Sequence, residues 1–411
     1  MSLGREIRLS RILDPSDGRA VVVAADHGLM LGPIPGAAEL EKTLRKVVRG
    51  KPDAVLLSPG QIKRLYHLFK GRTAPAVLMR ADWTNAFRDR TYTLPARSIA
   101  FSQISDVKRA LALGASGIVT YFFVGYDDEN LESHHFELMA NFARECERAG
   151  MPLIVEPLPR GPRATKTNYV DLIVMGVRLA VEAGADALKA PYTGDPDTFR
   201  RVIRAAAGTP VLILGGYRAK SLRDLLEVVE EVVSVGGSGV VFGRNVLQAD
   251  DPARLLSQIR AIVHEGRKAR EIVFELKRPF RIVVDYRLCT GCRICVLACS
   301  SIHYGMFDER LSAIKVLGSW PGPFKPVVCT QCGLCVKACQ YGALTMSPET
   351  GGLVWNRERC TLCGACVEAC PLGIVGIVGK QLVICDMCRG APECVYWCPR
   401  DALSVKPIGD K

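Results

Sequence analysis

Cysteine is almost missing from most of this chain: Cys146 is the one thiol in the first 288 of 411 residues, and the other sixteen fall between Cys289 and Cys398. Two chemically different parts follow from that distribution alone. No apolar run reaches the ~18 residues that a membrane-spanning helix needs. The opening stretch, MSLGREIRLS, holds neither an apolar signal segment nor a twin-arginine pair, so a soluble chain in the cytoplasm is expected and disulfides are not. Asn and Gln together number only 13, a scarcity that fits chains adapted to heat. No G-x-G-x-x-G follows the first apolar run, which removes the usual dinucleotide site. What is present is globular: 48% apolar and 23% charged residues, with a net charge of +12 that by itself would suggest a nucleic acid or an anionic membrane as partner.

Eight short apolar runs punctuate the first part: AVVVAAD (20–26), AVLLS (54–58), AVLMRAD (76–82), SGIVTYFFV (116–124), PLIVEP (152–157), ALKAPY (187–192), VLILGG (211–216) and GVVFGR (239–244). Between them lie segments such as VDLIVMGVRLAVEAGA and SLRDLLEVVEEVVSVGG, apolar at helical spacing and ending in glycine. Alternation of strand and helix predicts parallel β-structure with helical crossovers, and eight units in about 250 residues fit a closed (β/α)8 TIM barrel, with an open doubly wound sheet as the alternative. The basic connector RKAREIVFELKRP follows, then a change to turns and cysteines. The boundary is expected near residue 275, with a barrel over residues 1–270 and a small α+β domain over 276–411.

That second part repeats itself. C-x2-C-x2-C-x3-C occurs at Cys289, Cys292, Cys295 and Cys299, at Cys329, Cys332, Cys335 and Cys339, and at Cys360, Cys363, Cys366 and Cys370; a C-x2-C-x5-C-x3-C follows at Cys385, Cys388, Cys394 and Cys398. C-x2-C-x2-C wraps three thiolates round a tight turn, and the fourth ligand of a 4Fe-4S cube arrives from elsewhere in the chain. Sixteen cysteines in four groups therefore supply four 4Fe-4S clusters in a ferredoxin-like domain, whereas zinc does not use the third cysteine at this spacing. Clusters with no open iron site only pass electrons, so a redox protein is expected as partner.

VDYRLCTGCRICVLAC, CTQCGLCVKAC, ERCTLCGACVEACP and CDMCRGAPECVYWCP resemble the four-cluster iron-sulfur subunits of the dimethyl sulfoxide reductase, formate dehydrogenase and hydrogenase type. The resemblance covers about residues 280–402 and implies that the outer motifs pair with each other, and the inner motifs likewise. Carried over, the ligand sets are Cys289, Cys292, Cys295 with Cys398; Cys385, Cys388, Cys394 with Cys299; Cys329, Cys332, Cys335 with Cys370; and Cys360, Cys363, Cys366 with Cys339. Ser300 and Gln340 stand where a proline often follows the last cysteine, while Pro371 and Pro399 keep it.

In a barrel, chemistry sits at the C-terminal ends of the strands. Strand one ends in Asp26 and His27, strand five carries Glu156, strand six Lys189, and strands seven and eight end in Gly215-Gly216 and Gly243-Arg244. A lysine at an alternate position inside ALKAPY points into the barrel, where an amine withdrawn from water is a candidate nucleophile; the alternative is a lysine snorkelling from the strand end. The glycines free backbone N–H groups for a phosphate with Arg244 adding charge, or they are simply tight turns.

VVAADHGLMLGPIPG, DALKAPYTGD, LILGG and VVFGRNVLQ resemble the archaeal-type class I fructose-bisphosphate aldolases and their relative, 2-amino-3,7-dideoxy-threo-hept-6-ulosonate synthase, over about residues 3–267. The resemblance implies a lyase in which Lys189 forms a Schiff base with a keto substrate, Asp26 assists at the imine, and Gly215, Gly216, Gly243 and Arg244 hold a phosphate. One departure stands out: the family's strand-five Tyr-Pro-Arg-Gly, whose tyrosine shuttles the proton, reads Leu158-Pro159-Arg160-Gly161 here. Glu156 is the replacement acid/base, or else a structural carboxylate paired with Arg160; Tyr192 is a second substitute.

His134 and His135, adjacent on a helix, are expected at the solvated surface, and Cys146 is expected to have no role. Two functions remain open: an aldolase-like enzyme on a phosphorylated keto sugar or related compound, fused to a relay for a partner such as an aldehyde:ferredoxin oxidoreductase, or an electron-transfer subunit whose barrel is a non-catalytic scaffold. An oligomer is expected. The charge is explained without nucleic acid. Residues 276–411 hold 16 basic and 10 acidic residues, the rest 38 and 32, so each part carries +6, and four oxidised cubes at about −2 each bring the holoprotein to about +4.

Overall fold

The computed structural model describes residues 2–88, 92–216, 219, 221–273 and 279–408. Two compact units emerge, Met1–Ala269 and Arg270–Lys411; the expected boundary near residue 275 lies outside the described residues.

All eight expected strands form: β1 Ala20–Ala24, β2 Ala54–Leu57, β3 Ala76–Arg80, β4 Gly117–Val124, β5 Leu153–Pro159, β6 Ala187–Pro191, β7 Val211–Leu214 and β8 Gly239–Phe242. Each pairs in parallel with its neighbours, and β1 pairs with both β2 and β8, which closes the TIM barrel and excludes the open sheet. Closure has a simple origin in the sequence. Strands buried on both faces read as continuous apolar runs, and alternate residues of each run fill the interior. Val22, Ala24, Leu56, Leu78, Val119, Ile154, Ala187, Leu212 and Val241 make that inner core. Three of the helices outside start on the same device, a capping side chain followed by proline: Ser58-Pro59, Asp195-Pro196 and Asp251-Pro252, each cap accepting a hydrogen bond from the first turn.

His135 departs from its expected surface position. It is fully buried on the helix Glu129–Ala149, stacked on Phe101 at 3.8 Å, and its Nδ1 accepts the Phe123 N–H. The hairpin Asp82–Thr84 with Phe101–Gln103 brings that ring over the helix, a contact that helical periodicity does not reveal. Burial lowers the imidazole to about 3. A group whose folded value lies below its unfolded ~6.5 contributes stability that is complete above pH 6.5 and is lost as the pH falls toward 3. The barrel's urea midpoint is therefore expected to drop between pH 6.5 and 4, and His135→Gln, which cannot take the proton, is expected to flatten that slope. An unchanged slope would count against this assignment.

The second unit is α+β, built of antiparallel strand pairs with a helix that carries the third cysteine of each motif. Phe280–Val284 pairs with Leu403–Pro407, Lys315–Leu317 with Lys325–Val327, Leu344–Met346 with Leu353–Trp355, and Gly376–Val378 with Gln381–Val383. Among the described residues no helix is long and apolar enough to cross a membrane.

Candidate functional site

Strand alternation places Arg80, Glu156 and Lys189 inside the barrel at the level where the apolar core ends, and Asp26 joins them from just beyond β1. Arg80 is the hub. Its Nε donates to Asp26 Oδ2 at 2.8 Å, its Nη2 to Glu156 Oε2 at 2.6 Å, and its Nη1 faces Asp82 Oδ1 at 3.5 Å. The guanidinium lies 3.8 Å from the centre of the Tyr121 ring. Lys189 Nζ donates to the same Glu156 Oε2 at 2.9 Å. All five charged groups are buried.

Such a cluster is tolerated in a buried place because its charges nearly cancel and each charged group faces an opposite one. Burial works to raise Asp26, but Arg80, with Lys189 and His27 behind it, holds its carboxyl below the ordinary carboxylate value. Asp82 goes the other way: burial pushes it up to about 6, which Arg80, the Thr120 hydroxyl at 2.7 Å and the Tyr121 N–H at 2.7 Å only partly offset. Burial also lowers His27 more than Asp26 raises it, leaving a neutral ring. Gly243 is required beside that ring, since a Cβ there would overlap it.

Tyr192 is placed elsewhere. Its hydroxyl donates to Glu231 at 2.6 Å on the helix Leu222–Ser234, and the structure does not bring it to the charged cluster. Glu156 pairs with Arg80 and Lys189, not with Arg160, whose guanidinium lies over Phe87. At the ends of β7 and β8 the glycines are tied together. Arg244 Nη2 donates to Gly216 O at 2.7 Å, Asn245 Nδ2 donates to Gly215 O at 3.1 Å, and Asn245 Oδ1 accepts the Ala219 N–H at 2.7 Å.

In the second unit each of the four expected quartets lines one cavity: Cys289, Cys292, Cys295 and Cys398; Cys299, Cys385, Cys388 and Cys394; Cys329, Cys332, Cys335 and Cys370; and Cys339, Cys360, Cys363 and Cys366. The backbone explains how. Left-handed residues recur at matching places in the first three turns, Gly291 and Arg293, Gln331 and Gly333, Leu362 and Gly364, and three in a row, Met387 to Arg389, shape the fourth. None of the cysteines forms a disulfide. Burial pushes Cys295 and Cys388 up to about 12, so thiolates gathered there need a cationic core to hold them. Zinc bonds of about 2.3 Å would draw the sulfurs within about 4 Å of one another, yet among the described residues no three of these sulfurs lie within 4.8 Å, and the donor set fits the wider iron-sulfur cube.

The family model for DeoC/LacD family aldolases matches residues 20–249. This chain belongs to the DeoC/LacD family of aldolases. A 4Fe-4S binding domain model matches residues 287–305 and a 4Fe-4S dicluster domain model residues 328–374, so this aldolase also carries iron-sulfur domains. It is similar to an uncharacterised aldolase of Saccharolobus solfataricus, 35% identical over 280 residues that cover 67% of this chain and 100% of that protein. It is similar too to the class 1 fructose-bisphosphate aldolase of Thermoproteus tenax, 30% identical over 62% of this chain and 93% of that one. The 2-amino-3,7-dideoxy-D-threo-hept-6-ulosonate synthase of Halobacterium salinarum is 33% identical over 64% and 92%. Among solved structures, an archaeal fructose 1,6-bisphosphate aldolase matches with a TM-score of 0.55 at 28% identity, covering 64% of this chain and 100% of that chain.

Sequence reading missed four residues of this aldolase. Arg80 was hidden in AVLMRAD, where the pattern registered only as a strand; an arginine at an inward position of an apolar run is the signal that could have revealed it. Asp82 and Asn245 have no comparable signal. His303, whose Nε2 lies 3.5 Å from Cys388 Sγ and 3.4 Å from Asp386, follows Cys299 by one helical turn and reads as an ordinary helix residue.

Proposed function

We propose that the barrel is a Schiff-base aldolase acting on a phosphorylated keto compound and that the second unit carries four 4Fe-4S clusters which relay electrons for a partner oxidoreductase. One observation carries the barrel reading: Lys189, buried inside the strand ring, has its amine 2.9 Å from a carboxylate oxygen able to take its proton. A neutral amine attacks the keto carbon, water leaves, and the protonated imine draws electrons from the neighbouring carbon. Glu156 takes the proton from that carbon, the enamine carbon bonds to the aldehyde carbon, and the aldehyde oxygen is protonated to a hydroxyl. Water then releases the product and restores Lys189. Asp26 faces the developing cation, and Arg80 orients both carboxylates. Gly215, Gly216, Gly243 and Arg244 hold the phosphate.

When bound by their cysteine quartets, the clusters supply one-electron transfer and no site for substrate. A partner of the aldehyde:ferredoxin oxidoreductase kind fits: it oxidises an aldehyde and water to a carboxylate, releasing three protons to water and passing two electrons, one at a time, to the module. The barrel makes or consumes that aldehyde.

Borohydride trapping with dihydroxyacetone phosphate, followed by peptide mass spectrometry, tests the imine. A covalent adduct at Lys189 is expected, and its absence with every phosphorylated ketone tried would falsify the enzyme reading. Glu156→Gln is expected to lower turnover about 10²–10⁴-fold, the range of a lost general acid/base, while the adduct still forms slowly; a variant with unchanged turnover removes Glu156 from the proton path.

A further inference from the structure

Two layers of inward side chains stand at the catalytic end of strands β4 to β7, and they differ in kind. The lower layer is Tyr121, Glu156, Lys189 and Leu212, set by the pairs Tyr121↔Glu156 and Lys189↔Leu212. Two residues further along each strand, about 6.6 Å toward the mouth, the next inward layer is Phe123, Leu158, Pro191 and Leu214, set by Phe123↔Leu158 and Pro191↔Leu214. Every member of it is apolar. Phe123, Leu158 and Leu214 pack with Tyr121 and Met30, and Leu29, Leu31 and Phe87 continue the same apolar cluster outward as partly buried residues. Arg160, the charged group that follows β5, lies against the Phe87 ring.

Resting on the Schiff-base reading above, we propose that this rim selects the second reactant: the aldehyde that joins the Lys189 enamine has an apolar or aromatic body, not a chain of hydroxyls. A reactant reaching Lys189 must lie between the phosphate-holding ends of β7 and β8 on one side and this rim on the other. The donor half, with its phosphate, belongs to the glycine side. The acceptor half meets the wall of Leu158 and Leu214, behind which Phe123, fully buried, and Pro191 are packed. Hydroxyls placed against this wall give up water and find no partner there, while an alkyl or aryl group fills the same space at no such cost. Apolar walls discriminate against an added hydroxyl only moderately, by up to about a hundredfold. The bond formed is carbon to carbon, the aldehyde oxygen becomes a hydroxyl, and no electrons are exchanged with the clusters.

The experiment uses the full chain purified anaerobically with its iron. Dihydroxyacetone phosphate is the donor, and condensation is compared with phenylacetaldehyde and with D-glyceraldehyde 3-phosphate as acceptors. Expected is a kcat/KM about 10- to 100-fold higher for phenylacetaldehyde. An adduct at Lys189 together with equal or greater efficiency for glyceraldehyde 3-phosphate overturns this inference and leaves the imine standing. No adduct at Lys189 overturns both. Leu158→Thr, checked for folding by circular dichroism, is expected to lower the preference about tenfold; an unchanged ratio removes the rim as its cause. The wild-type ratio decides the matter even if that variant does not fold.

Discussion

Replacing Arg80 with leucine is expected to destabilise the barrel by about 3–5 kcal/mol, read as a lower urea midpoint of the barrel's own transition. The reason is arithmetic of charge. Arg80 is the shared partner of Asp26, Glu156 and Asp82, and it has no exposed surface. Without it, Lys189 alone faces these carboxylates, and those left over must take protons or admit water into a packed interior. Arg80→Lys separates charge from geometry, because an ammonium is a point donor and cannot span three carboxylates as the guanidinium fork does. It is expected to recover part of the stability but not the stacking on Tyr121. A leucine variant as stable as wild type would show that the carboxylates do not depend on Arg80.

The second large effect is on removing iron. The cores of the second unit are made in good part of the cysteines themselves: Cys295, Cys299, Cys394 and Cys398 lie among Phe280, Ile314 and Leu403, and Cys335 and Cys366 lie among Leu344, Leu353 and Leu382. These cores surround the four cysteine-lined cavities, and burial holds the Cys295, Cys299, Cys335, Cys366 and Cys394 thiols above their ordinary value. Chelation under oxidising conditions is therefore expected to abolish the cooperative unfolding of this unit, since the free energy of cluster binding is also its folding free energy. The barrel, whose core contains no such cavity-lining cysteine, is expected to keep its own calorimetric transition. Three of the four tryptophans, Trp320, Trp355 and Trp397, lie in the second unit, so their emission reports the loss directly. Native iron should be about sixteen per chain, Cys335→Ala should remove about four, and Cys146→Ala none. An iron-free chain that retains both transitions would refute the account.

How much of this was legible beforehand depended on the kind of signal. Repetition and alternation are local, so the eight strands and the sixteen grouped cysteines could be read from spacing, and Lys189 stood out because a charge inside ALKAPY breaks the pattern. Arg80 breaks AVLMRAD in the same way. Partnership was not legible. Glu156 reads either as the acid/base or as a carboxylate paired with Arg160, four residues on; Arg160 lies beyond the end of β5, against Phe87, and Arg80 reaches Glu156 across the barrel instead. Tyr192, next to Pro191, alternates away from Lys189 and finds Glu231. His135 is buried by a hairpin more than thirty residues before it in sequence. Each of these is a long-range contact that local spacing does not carry.

Asn245 uses both ends of its amide, accepting from the Ala219 N–H and donating to the Gly215 carbonyl, and it is buried. At this length an amide does both without taking up a proton, whereas a carboxylate only accepts. Spontaneous hydrolysis to aspartate, the common lesion of asparagine in proteins held hot for long periods, would turn the donor into a second oxygen aimed at a carbonyl oxygen. Ala219 and Gly215, both after β7, would then lose their shared tie to the end of β8. Deamidation at this one buried position is thus expected to untie the end of β7 from the end of β8.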